Sequence, residues 1–133
     1  MKHAKEIWER PGFLIRRLHQ IQTTLFLEEC EKECPGMDIT PVQWGVMSAV
    51  SGSPGISHIE LSEKLGLDRS NIANVVQRLA KKNILKVKIS QQDRRRKEIS
   101  ITSTGQQLMG RILKAARRSQ NTLLNQLNEK EQQ

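Results

Sequence analysis

Apolar residues follow two rhythms along this chain. Between Arg69 and Lys82 the residues Ile72, Val75, Val76 and Leu79 stand at i, i+3, i+4 and i+7, one apolar stripe on a helix. From Leu85 the period shortens to two. Leu85, Val87 and Ile89 alternate with Lys86 and Lys88, and Ile99 and Ile101 repeat the alternation on a return strand, as half-buried strands do. Upstream, Leu14, Leu18, Ile21 and Leu25 stand at i, i+4, i+7 and i+11 of a helix expected after Arg10-Pro11-Gly12 and running to about Lys32. A stripe this far from the other elements suits a partner helix. Trp44, Met47 and Val50 give a further helix an apolar side. Leu108, Ile112, Ala116, Leu123 and Leu127 give a loose one to a long helix after the strands.

Capping chemistry sets the boundaries. Thr40-Pro41-Val42-Gln43 opens a helix with a cap, a proline at the first helical position and a capping box. Ser53-Pro54-Gly55 closes it. Ser57 with Glu60 is a second capping box, opening a short helix from Ser57 to Leu65. Gly66 suits the left-handed turn after it, and Asp68 caps the next helix, Arg69 to Lys82. Asn83 suits the end position of that helix. Thr102 or Thr104 caps the long helix, and Thr104 with Gln107 fits a capping box. Two short helices, a turn and a two-stranded hairpin in this order read as a helix-turn-helix with a β wing. The fold class expected is mainly α (α+β).

Charge sharpens that reading through its placement. From Met1 to Gly66 there are seven Lys/Arg against nine Asp/Glu, a balance of −2; from Leu67 to Leu127 there are fourteen against three, or +11. The cationic excess therefore lies in the second helix, the wing and the helix after it, which points to a polyanionic partner. The face of the second helix opposite its stripe carries Arg69, Ser70, Asn71, Asn74, Gln77, Arg78 and Lys81, with no acid from Arg69 to Lys82. Asn, Gln, Ser and Arg are the side chains that pair with base edges and phosphates. The bland alternative is a solvated helix that happens to be basic. Exposed amides at Ser57 and His58 suit a backbone phosphate, with both side chains adding donors. The hairpin tip, Ser90 to Lys97, holds four cations and one acid, and Arg94 and Arg95 suit a narrow, negative minor groove. Asp93 is expected to pair with the Arg95 guanidinium and hold its rotamer.

These residues resemble the MarR family of bacterial transcription regulators. LSEKLGLDRSNIANVVQRLAKKNILKVK followed by DRRRKEISIT carries the resemblance. The family's wing signature is Asp-x-Arg, five residues, then an apolar residue and Thr, and Asp93, Arg95, Ile101 and Thr102 fit it at that spacing. One departure is Asn83, where the family commonly has Gly. The resemblance implies one MarR-type domain over 1–133. Within it, 40–102 forms the winged helix-turn-helix, and 12–34 with 103–133 form a helical dimerisation region. It implies a homodimer whose two recognition helices enter successive major grooves of a pseudo-palindromic operator.

The stretch RPGFLIRRLHQIQ resembles the MarR-type regulators of aromatic-acid catabolism. In that group a first-helix Arg, and sometimes a His, meets an effector carboxylate. The resemblance implies that Arg17, His19 or Arg16 contacts a small aromatic acid or its thioester. Arg17 and His19 flank the apolar stripe, whereas Arg16 points nearly opposite it. The alternative is that both arginines are solvated and His19 is a partly buried helix residue. MarR-like proteins also continue with a last helix completing the dimer; here Asn128 and Glu131 read as the cap of a helix that the sequence does not supply.

Other chemistries find little support. No nucleophile stands with a paired base, no glycine loop suits a phosphate, and His3, His19 and His58 lack metal spacing, so neither catalysis nor a metal or cofactor is expected. The N-terminal segment lacks the apolar core of a signal peptide, no stretch is apolar enough to span a bilayer, and a cytoplasmic protein is expected. Cys30 and Cys34 sit in an acidic run that raises a thiol pKa, which favours inert thiols over a redox switch at Cys30. The expectation is a sequence-specific DNA-binding regulator, a repressor released by its effector. Its rivals are the redox switch, a non-specific architectural protein and a winged domain used for protein contact.

Overall fold

The computed structural model describes residues 6–133; His3 and the first five positions of the N-terminal segment lie outside them. Among the described residues the following elements come in order: α1 (Pro11–Glu33), α2 (Pro41–Gly52), α3 (His58–Leu65), α4 (Arg69–Lys81), β1 (Leu85–Ile89), β2 (Lys97–Ile101) and α5 (Ser103–Leu124). The fold is mainly helical with a two-stranded antiparallel sheet. The chain forms two compact units, 39–113 and 1–38 with 114–133, which divide α5 between them.

In the first unit, α2 packs on α3, α4 and β2, and α3 and α4 pack on each other. Val46, Met47 and Val50 of α2, Leu61 of α3, Ile72, Val76 and Leu79 of α4, and Ile99 of β2 are buried in its core. Each such side chain contributes about 1.5–3 kcal/mol of hydrophobic transfer. The α4 stripe faces inward as its period requires, with Val75 half-buried at its edge.

Local chemistry explains where these elements start and stop. At α2, the Thr40 hydroxyl accepts from the Gln43 amide while the Gln43 side chain accepts from the Thr40 amide. At α3 the box is only half formed: Ser57 Oγ accepts from the Glu60 amide at 3.2 Å, but the Glu60 carboxylate turns to Arg96. An ion pair has taken the group that the sequence spacing assigned to the cap. Gly66 ends α3 at φ +65, and Asn83 follows α4 at φ +59, so Asn adopts the left-handed geometry there.

Thr102, not Thr104, caps α5. Its Oγ1 accepts from the Gly105 amide at 3.0 Å and lies 2.6 Å from the Asn83 carbonyl oxygen, to which it donates. The Thr102 amide donates to Ile84 O, so the last residue of the wing signature ties the end of α4 to the start of α5.

The hairpin pairs Leu85 with Ile101, Val87 with Ile99 and Ile89 with Lys97. Ile99 is buried and also bridges to Ile56. The expected half-burial of β1 holds only at Leu85. Val87 and Ile89 are exposed, Ile89 at 63%, because the strand runs out beyond the core.

In the second unit, Arg118 of α5 reaches both Glu29 Oε2 and Glu33 Oε1 of α1 at 2.6 Å. The Arg118 hydrogen bond first, and Lys32 second, hold the Glu29 carboxyl below its usual value. Leu14, Ile15, Leu18 and Ile21 are exposed on α1. At the C-terminal end, Asn128 and Glu131 form a reciprocal capping box at 2.9 Å in both directions. Among the described residues no helix is long and apolar enough to cross a membrane.

Candidate nucleic-acid interface

Recognition chemistry in the 39–113 unit lies on the exposed face of α4 and on the wing. Because α4 buries Ile72, Val76 and Leu79, its 3.6-residue period turns Arg69, Ser70, Asn71, Asn74, Gln77, Arg78 and Lys81 outward, and all seven are exposed. Asp68 caps the helix, accepting from the Asn71 amide at 2.8 Å, while the Asn71 side-chain amide donates to the second Asp68 oxygen at 3.1 Å. Asn71 therefore has its NH₂ held on the cap and its carbonyl oxygen left to accept. Asn74 and Gln77, one and nearly two turns further, carry both amide functions into solvent.

The wing tip is built on Ser90 and Asp93. Ser90 is buried, and its Oγ faces the amides of Gln92 and Asp93, both at 3.3 Å. Asp93 does not hold Arg95 through the guanidinium as expected. Its Oδ1 accepts from the Arg95 backbone amide at 3.0 Å, and the Asp93 carbonyl accepts from the Arg96 amide. The carboxylate thus shapes the turn and leaves the Arg95 side chain free to extend. Arg94 and Arg95 are both exposed.

Between the start of α3 and the wing runs a groove of about 500 Å³ lined by Ser57, His58, Ile59, Glu60, Asp93, Arg95, Arg96 and Lys97. It joins two sets of residues that the sequence marked separately, Ser57 with His58 and Arg95. It also adds Lys97, Arg96 and Glu60, which sequence reasoning missed as site residues. The only hint was the basic run itself, since the pairing of Arg96 with Glu60 spans 36 positions. Burial first, and the nearby Lys97 second, push the His58 imidazole below its ordinary value.

The three first-helix candidates belong to the other unit. Arg16 and Arg17 line an open groove of the second unit with Trp8, Phe13, Leu14 and Gln20, where Trp8 and Phe13 meet edge to face at 4.5 Å. Arg16 thus shares a wall with Arg17, closer to the stripe than helical phase alone suggested. His19 is exposed and lines neither this groove nor the neighbouring one along Arg17, Gln20, Ile21, Thr24, Leu25 and Glu28. Cys30 and Cys34 are buried and form no disulfide, and burial, with Cys34 and Glu29 nearby, raises the Cys30 thiol to about 11. Among the described residues no cluster of His, Cys, Asp and Glu could hold a metal ion.

A recognition helix with an outward polar and basic face, preceded by a short helix and followed by a basic hairpin, defines a winged helix-turn-helix protein. The MarR family model matches residues 37–96. The crystal structure of the PcaV transcriptional regulator of Streptomyces coelicolor, in complex with its natural ligand, is 32% identical over 92% of this chain and 84% of that one, with a TM-score of 0.81. A probable transcriptional regulator from Pseudomonas aeruginosa is 25% identical over 95% of this chain and 91% of its own, with a TM-score of 0.86. A putative transcriptional regulatory protein for the hcr operon of Thauera aromatica is 34% identical over 80 residues, 60% of this chain but 48% of that protein's length. The chain belongs to the MarR family.

Proposed function

We propose that this protein is a homodimeric, sequence-specific DNA-binding regulator, a repressor released by a small aromatic acid or its thioester. The observation that carries the reading is the composition of the exposed α4 face: Ser70, Asn71, Asn74, Gln77 and Arg78 stand there with no carboxylate among them. Phosphate binding alone would be served by Lys and Arg, whereas Asn and Gln pair bidentately with adenine edges. In this reading α4 enters the major groove, Ser57, His58 and Arg69 hold phosphates, and Arg94 and Arg95 enter the minor groove. The exposed Leu14, Leu18 and Ile21 on α1 supply apolar surface for a second copy of the chain. Two such copies read a pseudo-palindrome with half-sites about one helical turn apart.

The effector part rests on the groove at Arg16 and Arg17. Guanidinium groups bind a carboxylate in bidentate fashion, and the edge-to-face Trp8 and Phe13 rings offer an aromatic wall beside them. Likeness to PcaV, a regulator solved with its natural ligand, favours the same kind of control. Release follows if the ligand binds better to a form whose recognition helices are wrongly spaced for DNA.

The test is fluorescence anisotropy on duplex DNA from upstream of the protein's own gene, against a shuffled duplex at the same near-physiological salt, with simple aromatic acids titrated into the complex. A strong preference for the upstream duplex that collapses with one acid supports both halves. Equal, weak and salt-sensitive binding to both duplexes favours an architectural role instead.

A further inference from the structure

We propose that the groove between the start of α3 and the wing is a proton-linked seat for a backbone phosphodiester, in which His58 takes up a proton as the phosphate binds. The inference rests on the DNA-binding reading above and adds to it a dependence on pH. His58 is half-buried in the groove wall, facing a segment with three cations in a row, Arg95, Arg96 and Lys97.

The two carboxylates of that wall are already engaged. Glu60 is paired with Arg96 at 2.6 Å, and Asp93 accepts from the Arg95 amide. That leaves Arg95 and Lys97 as the uncompensated charges of the groove. Of the elements packed on α3, β2 also carries Glu98, which is half-buried and not part of the groove wall. Helix α2 carries no ionisable residue from Pro41 to Gly52, and the cations of α4, Arg69, Arg78 and Lys81, are exposed and are not part of the groove wall. Burial first, and then the cations of a wall that holds no unengaged carboxylate, favour the neutral imidazole. A phosphodiester in the groove reverses that field, because an anion within reach favours the imidazolium. Ser57 Oγ accepts from the Glu60 amide, so its hydroxyl hydrogen remains available to the same phosphate.

The sign of the effect follows by linkage. If the proton is held more tightly in the complex than in the free protein, DNA is held more tightly as pH falls through the range in which His58 titrates. Each unit by which the phosphate raises the His58 value is a factor of about ten in affinity for each half-site. Binding that tightens in mild acid makes the regulator responsive to pH through its DNA contact, independently of any ligand.

The experiment measures anisotropy on the upstream duplex from about pH 8 to about pH 6 at constant ionic strength, for the wild type and for His58→Gln. Titration calorimetry in buffers of different ionisation enthalpy counts the protons taken up. The wild type is expected to gain about tenfold or more in affinity across that range, with net proton uptake. His58→Gln, which can donate a hydrogen bond but cannot titrate near neutrality, is expected to lose most of the slope and of the uptake, whatever its absolute affinity. A wild type that binds the duplex with a flat profile, or a His58→Gln protein with the wild-type slope and proton count, overturns the proposal. Failure to bind either the upstream or a shuffled duplex at any pH overturns the DNA-binding reading, and the proposal with it.

Discussion

The guanidinium of Arg96 lies 2.6 Å from the carboxylate of Glu60, joining the wing to the helix that precedes the recognition helix. Arg96 is also fixed through its backbone: its amide donates to Asp93 O and its carbonyl accepts from Ser90 N. The pair therefore acts at the root of the loop that carries Arg94 and Arg95. Both side chains are nearly half exposed, so the contribution to global stability is small, about 0–1 kcal/mol. Glu60→Gln is expected to leave the thermal midpoint within a few degrees of wild type. Amide exchange from Ser90 to Lys97 should nevertheless accelerate, as read by hydrogen-exchange mass spectrometry. Unchanged exchange in the loop would show that the turn hydrogen bonds hold the wing without the ion pair.

Contacts that read bases and contacts that hold phosphates respond differently to salt. Asn74→Ala and Gln77→Ala are expected to lower discrimination between the operator and a shuffled duplex by about 1–3 kcal/mol each, with little change in salt dependence. Arg69→Ala is expected to weaken both duplexes alike and to reduce the salt slope by about one for each half-site. Arg95→Ala should weaken operator binding severalfold or more at matched salt. Because Asp93 holds the Arg95 backbone amide and not its guanidinium, this truncation leaves the wing turn intact. Unchanged affinity would remove the wing from the mechanism.

Gly105 lies where α5 starts against the end of α4. A Cβ built there would run into the Ile84 carbonyl oxygen and fall 2.7 Å from Ile101 Cγ1. The first neighbour is backbone, and that backbone also receives the Thr102 amide. Gly105→Ala is therefore expected to destabilise the fold by about 1–3 kcal/mol, visible as a lower thermal midpoint. Gly110→Ala, with open space around its Cβ, is the control and should be neutral or slightly stabilising.

Cys30 tests the redox alternative. With its thiol raised to about 11 and its side chain buried, almost no thiolate is present at neutral pH. Iodoacetamide is expected to label Cys30 in the folded protein far more slowly than in denaturant, and Cys30→Ser should leave the peroxide response of DNA binding unchanged. The linkage runs one way. The thiol value is raised on folding, so this stabilisation is complete below the ordinary thiol value of 9.0 and fades as pH rises from there towards about 11. An alkaline melting series in which Cys30→Ser flattens the decline would bear this out.

Much of the molecule was legible in the chain because its signals are local. The α4 stripe, the Thr40–Gln43 box, the Asp68 cap and the left-handed turns at Gly66 and Asn83 each depend on steps of four positions or fewer along the chain, and all appear as the spacing requires. The polar face of α4 follows from the same period, so its exposure could be read before any fold was known. Local spacing misled where another group, distant or adjacent, took the carboxylate. Glu60 has the position of a capping-box partner, but Arg96 claims its carboxylate, and Asp93 spends its carboxylate on a backbone amide two residues away.

Sequence by itself determined the order of the elements, their ends, the outward face of the recognition helix and the concentration of positive charge after Gly66. Tertiary structure alone decided which of these residues meet. It brought Ser57 and His58 into one groove with Arg95 and Lys97. It assigned Thr102 to both the Asn83 carbonyl and the Gly105 amide, and it left Val87 and Ile89 outside the core despite their alternation. The physical reason is the same in each case. Periodicity and capping are set by the geometry of neighbouring peptides, whereas burial, charge pairing and the shape of a groove depend on segments far apart in sequence being packed together.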